Sequence, residues 1–349
     1  MAALIGALAA LPLTLAQAQI YPVPESGVFT AAGVLVAPAN GDTIELQGAT
    51  ATMDVTITLP TAGTGTLNFA NTFGAASTVV INPTFHFSNA TANPVTLNFT
   101  GDAITFNGSG TAFTGTGGFL SSAGAVTLNV LGSGLTLSNH RATTSGGAIY
   151  STGAVTITGS STTPGALNIN NNYAGATATA NGGSGIFTSS GSITIGGKFS
   201  SITVDGNSAL SQGGAFHQGG TGGSLSITAD VTGGEIAFTN NTNGVSGTTG
   251  LSGGAIYSDG VTTINAKADK LTFFNNTTLS QNGGGIGSVG AISLLGTYGD
   301  ILFDKNTAAG GGGALMSAAS VTIGNSANAA ALTTGTLTFS NNKANGSGA

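Results

Sequence analysis

The amino-acid sequence predicts an all-β fold: a right-handed, single-stranded parallel β-helix (a solenoid) with about 30–36 residues and three strands in each coil. Two observations carry that expectation. The first is composition: 59 of 349 residues are glycine and only 5% are charged, and Ala, Thr, Ser, Asn and aliphatic residues dominate the rest. Gly, Asn and Thr favour turns and strands over helix, while the abundant Val, Ile, Leu and Phe provide apolar surface to bury. The second is a period. The heptapeptide Ser-Gly-Gly-Ala-Ile-Tyr-Ser stands at 145–151 and again at 252–258, three repeats apart in a longer, more degenerate series.

The elements follow in chain order. An apolar run from Ala2 to Leu15 leads into Ala16-Gln17-Ala18, the small-x-small pattern of a cleavage site, so residues 1–18 are expected to be a signal peptide cut after Ala18. No Lys or Arg precedes the run, which departs from that pattern. No later segment is long and apolar enough for a spanning helix. Residues 19–102 hold strand-like runs such as VVINPTFHFSN (79–89) and VTLNFTG (95–101) without a Gly-Gly element. They are expected to form irregular first coils that also cap the open edge.

Residues 103–349 hold the repeat proper. Each unit begins with a short alternating run ending in Asn: LNINNN (167–172), ITVDGN (202–207), IAFTNN (236–241), LTFFNN (271–276), ILFDKN (301–306) and LTFSNN (337–342). The Asn residues stand at 172, 207, 241, 276, 306 and 342, giving steps of 35, 34, 35, 30 and 36. An earlier copy, LTLSNH (135–140), has His140 at the Asn position. A polar turn follows, then a Gly-rich tetrapeptide such as Gly146–Ile149, Gly253–Ile256 or Gly312–Leu315, and then a third run such as AVTITG (154–159) or SITIGG (192–197). Strands of period-2 alternation this short cannot bury their own apolar faces, but stacked copies can. A recurrent Asn at one corner can form an amide ladder along the stack, and glycines allow tight corners. A propeller blade would need about 40–45 residues and four strands.

Phe-x-x-Asn stands intact at Phe238–Asn241, Phe273–Asn276, Phe303–Asn306 and Phe339–Asn342, alternating with Gly-Gly-Ala-(Ile/Leu) at Gly146-Gly147-Ala148-Ile149, Gly253-Gly254-Ala255-Ile256 and Gly312-Gly313-Ala314-Leu315. Alternation of these two tetrapeptides behind a signal peptide resembles the chlamydial polymorphic outer membrane proteins. The resemblance covers roughly 103–349. It implies an autotransporter: a β-helical passenger, surface-exposed on the outer membrane or released outside the cell, that acts as an adhesin and antigen and is anchored by a C-terminal barrel. The chain departs from the family in two respects. It shows no run of amphipathic barrel strands, so the passenger is expected to be truncated before the barrel, and it lacks the cysteines that members commonly carry.

The partner expected from this resemblance is a host-cell or surface receptor, including a glycan. Six basic residues against twelve acids give a net charge of −6, which excludes a nucleic-acid footprint. Without cysteine there is neither disulfide nor thiolate metal site. No cofactor, metal or catalytic residue is expected. The alternatives are a carbohydrate-cleaving β-helix enzyme and a purely structural surface protein, and an enzyme would need clustered carboxylates. Asp205 and Asp304 share a place in their units but lie three coils apart. Asp300 and Asp304 are expected to be separated by a turn, and Asp230 and Glu235 to be solvated beside a Gly-Gly turn. His86, His140 and His217 are scattered, the last two as corner residues. Tyr150 and Tyr257 follow equivalent corners, either as wall aromatics or as exposed contacts.

Overall fold

In the computed structural model the described residues are 19–23, 27–29, 37–60, 64–175, 182–220, 222–244, 252–279, 282–324 and 335–346. The expected signal peptide at 1–18 lies outside them. The described secondary structure is entirely β, and every pairing is parallel. Strands collect into a 20-stranded, a nine-stranded and a seven-stranded sheet. The Phe-x-x-Asn strands and the Thr-rich third strands share the largest sheet. The three-residue strands after each Gly-Gly corner make the second, and two-residue strands just past each Asn corner make the third.

Register follows the repeat. Leu135, Leu167, Ile202, Ile236, Leu271, Ile301 and Leu337 pair in succession, one per rung. The run 271–276 therefore lies directly on 301–306, with Phe273 opposite Phe303. Alternation sends every second side chain inward, where it meets its counterparts one rung above and below. The result is one continuous core from Val23 to Ala314. Each Leu, Ile or Phe fully withdrawn from water contributes about 1.5–3 kcal/mol. The first coils join the same ladder: Thr43 pairs with Asn68, Gly65 with Val95, and Val95 with Val126.

One corner differs from expectation. Val261–Phe274 and Ile292–Asp304 are single strands of 14 and 13 residues that pass from the Thr-rich face into the Phe-x-x-Asn face without a break. Residues 261–274 contain neither Gly nor Pro, and in the second strand Gly296, at φ 108°, stays paired with Ala266, so the neighbouring rung keeps the ladder intact through the corner. Asp300 and Asp304 consequently lie on one strand, with no turn between them, contrary to the sequence reading.

Candidate functional surface

The motif residues build the wall of the solenoid. Asn172, Asn207, Asn241, Asn276 and Asn306 are buried at the inner corner. The Nδ2 of each donates to the Oδ1 of the next at 2.9–3.0 Å, ending on Asn342. That same Oδ1 also accepts the backbone N–H of the preceding Asn, at 3.0–3.1 Å. The second amide hydrogen returns to a carbonyl of the rung before, as from Asn241 to Val204 at 2.9 Å and from Asn276 to Phe238 at 2.9 Å. Every polar atom of these amides is used, as burial demands. His140 stands in for Asn at the first corner. Its backbone N–H donates to Asn172 Oδ1 at 3.0 Å, and its Nε2 meets the Phe106 carbonyl at 3.0 Å. A carbonyl can only accept, so Nε2 carries the proton and Nδ1 is left buried without a partner.

The sequence reading passed over the residue before each ladder Asn. Asn139, Asn171, Asn240, Asn275, Lys305 and Asn341 all have φ between 52° and 59°, and Gly206 takes the same position at φ 64°. The chain turns there through the left-handed region, which Asn and Gly enter most readily. The doubled Asn of LTFSNN, LTFFNN and IAFTNN was the readable signal. Phe238, Phe273 and Phe303 stack inside at 4.9 Å centroid spacing and nearly parallel, and Phe339, 47% exposed, continues the stack at the same spacing on the last described rung. At the opposite corner Gly146 has φ 64°, while a Cβ on Gly254 would fall 2.0 Å from the Gly284 carbonyl oxygen. Ala148 and Ala255 are fully buried.

Tyr150 and Tyr257 also belong to the wall. They form a ring stack, Tyr150–Phe187–His217–Tyr257, at centroid distances of 5.6, 4.8 and 5.0 Å. Tyr257 and His217 are each only 3% exposed, so Tyr257 is not a surface contact. Its hydroxyl donates to Asp259 at 2.7 Å, and burial together with that carboxylate pushes its pKa upward. Desolvation lowers the pKa of both His140 and His217 to about 4.

The carboxylates are dispersed. Asp205 and Asp304 occupy one register position three rungs apart, through Thr239 and Phe274. Asp230 lies 4.0 Å from Lys198, and Glu235 lies 3.7 Å from Lys270. Among the described residues no three His, Cys, Asp or Glu side chains cluster as metal ligands.

What the coil offers to solvent is its outward row. On the third-strand face, Thr66, Thr96, Thr127, Thr156, Thr194, Ser226, Thr263, Ser293 and Thr322 pair in unbroken succession. All nine carry a hydroxyl, and all nine are partly or fully exposed. Rungs about 4.8 Å apart make this a straight column of hydroxyls over nine coils. Beside it run Asn68, Asn98 and Asn129, joined by side-chain amide bonds of 2.8 Å. No charged residue stands in either column.

The Chlamydia polymorphic membrane protein repeat matches residues 300–318, a stretch that contains both Phe303–Asn306 and Gly312–Leu315. No curated protein and no solved structure matches the chain significantly.

Proposed function

We propose that this chain is the exported passenger of a surface autotransporter, displayed on the outer membrane, where it acts as an adhesin and antigen. The supporting observation is the nine-rung hydroxyl column: uncharged Thr and Ser hydroxyls repeat rung by rung along one face, and many weak, similar contacts on one body sum to avidity. The match to a Chlamydia polymorphic membrane protein repeat supports the same assignment to a cell surface. Its partner on this reading is a host-cell or surface receptor, engaged through outward-facing positions and not through the buried motif residues. Beads coated with the purified chain should attach to host cells saturably. The double variant Thr127→Lys/Thr194→Lys, which interrupts the column on alternate rungs, should weaken that attachment. Attachment that never saturates, or is indifferent to these changes, would leave a passive coat protein as the better description.

A further inference from the structure

A recess opens where the third-strand face turns into the next Phe-x-x-Asn strand. Below it, six residues, 160–165, connect Gly159 to Ala166. One rung on, only Lys198-Phe199-Ser200 separate Gly197 from Ser201. The next rung widens again, its register slipping between Val231 and Glu235. A short corner between two long ones leaves a cleft of about 480 Å³, lined by Pro164, Lys198, Phe199, Asp230, Thr232 and Lys267 among others. That volume falls within the range of about 300–1,000 Å³ usual for small-molecule sites.

The charges in the cleft are ordered by the ladder. Lys198 pairs with Asp230 and Asp230 with Lys267, so Lys, Asp and Lys stack on three successive rungs. Lys198 Nζ lies 4.0 Å from Asp230 Oδ2, whereas Lys267 forms no ion pair among the described residues. The Thr232 hydroxyl donates to Asp230 Oδ1 at 2.5 Å, fixing the carboxylate and, with smaller contributions from the two lysines, holding its pKa below the usual range. Two ammonium groups against one carboxylate make the cleft a cationic spot in a chain whose net charge is −6.

We propose that this cleft binds an acidic saccharide, a sugar whose carboxylate or sulfate sits on Lys267 and Lys198 while ring hydroxyls donate to Asp230. Lysine ammoniums suit either anion as point charges. The fixed Asp230 selects for a sugar: a bare anion between the lysines meets its repulsion, whereas a ligand with hydroxyl donors beside its acid group satisfies all three charges. The inference rests on the adhesive reading only for where such a sugar is met, on a surface; binding is tested separately.

Calorimetric titration of the full chain with a hyaluronan hexasaccharide (carboxylate), a heparin hexasaccharide (sulfate) and chitohexaose (neutral) tests it. One or both acidic probes should bind saturably, the better one identifying the anion, with chitohexaose at least about tenfold weaker. Lys267→Ala should lower the affinity for the acidic probe by about tenfold or more, since a hydrogen bond to a charged group is lost. Lys343→Ala, remote from the cleft, should leave it unchanged. Both lysines are exposed, and unaltered circular dichroism checks that the variants fold. Equal binding of all three probes, no binding of either acidic probe, or full affinity in Lys198→Ala/Lys267→Ala would overturn the proposal. Cell attachment that survives any of those results would leave the adhesive reading standing.

Discussion

At the scale of the residue, the ladder asparagines and the buried histidines make opposite contributions. Asn241 Oδ1 accepts from the backbone and side chain of Asn207, and its Nδ2 donates to Val204 and Asn276. Asn241→Ala removes these four hydrogen bonds inside the wall and leaves the buried Asn207 backbone N–H without its acceptor, so the expected loss is about 3–5 kcal/mol in chemical denaturation. Asn240, one residue earlier at φ 55°, also donates to Asp205 Oδ1 and accepts from Asn275 Nδ2, both at 2.8 Å and exposed. Asn240→Gly should therefore cost about 1 kcal/mol or less, and Asn240→Ala about 1–2 kcal/mol more because it adds left-handed strain. His140 and His217 bear on pH. Their folded pKa of about 4 lies below the ordinary 6.5, so between those values the unfolded chain binds more protons than the folded one. Stability contributed by keeping them neutral is present above pH 6.5, declines as pH falls through the window, and levels off below about 4. His140→Asn should flatten part of that slope and rejoin the amide ladder, raising the denaturation midpoint at pH 5. A midpoint as pH-dependent as the parent's would contradict the burial argument.

At the scale of the element, most of one coil was legible. Period-2 alternation placed LTFF and VTIT as strands, and the 30–36-residue recurrence of Asn fixed which strand stacks on which. The left-handed residue before each ladder Asn was missed because it varies: Asn in most coils, Gly206 in one and Lys305 in another. The through-running corners were missed as well, since local turn signals say nothing about a strand that bends while its neighbour on the next rung keeps it paired. Lys267 opposite Thr297 and Lys270 opposite Asp300 show that pairing surviving the bend. The cleft was illegible for a related reason, because it arises from corner lengths on three different rungs and from Lys198 and Lys267, 69 positions apart in the chain (267 − 198). The Gly-Gly-Ala corner, by contrast, was read correctly as crowded, and it supports a sharp expectation. The missing Cβ at Gly254 would lie 2.0 Å from the Gly284 carbonyl oxygen and 2.6 Å from the Thr277 nitrogen, both backbone atoms of the next coil. Gly254→Ala must therefore push two rungs apart, at a cost of about 3 kcal/mol or more. Ser258→Ala on the adjoining strand instead removes a buried hydroxyl that donates to Gln218 Oε1 at 2.8 Å and accepts from the Gly260 N–H at 3.2 Å, a loss of about 1–2 kcal/mol with no backbone displaced. A midpoint for Gly254→Ala as high as that of Ser258→Ala would show that the corner has slack.

At the scale of the whole molecule, the decisive property is that each coil touches only its neighbours. Ile202 meets Leu167 and Ile236, and neither it nor its strand reaches the coils beyond. Stability is then a sum of coil terms and interface terms along one axis, and damage should spread by proximity in rung number and not in sequence or distance from the centre of mass. The Asn241→Ala lesson extends naturally from residue to rod. Removing that amide breaks the ladder between Asn207 and Asn276, so amide exchange should accelerate most in 202–205, 236–239 and 271–274, the strands that carry those corners. Strands 95–101 and 104–108, three or more rungs away, pair through hydrogen bonds and Phe contacts that the substitution does not touch, and their protection should stay within about twofold of the parent's. Native-state hydrogen exchange resolved by peptide measures this directly. Uniform acceleration along the chain would mean that the solenoid opens as one cooperative block, and the picture of a rod held together rung by rung would have to be abandoned.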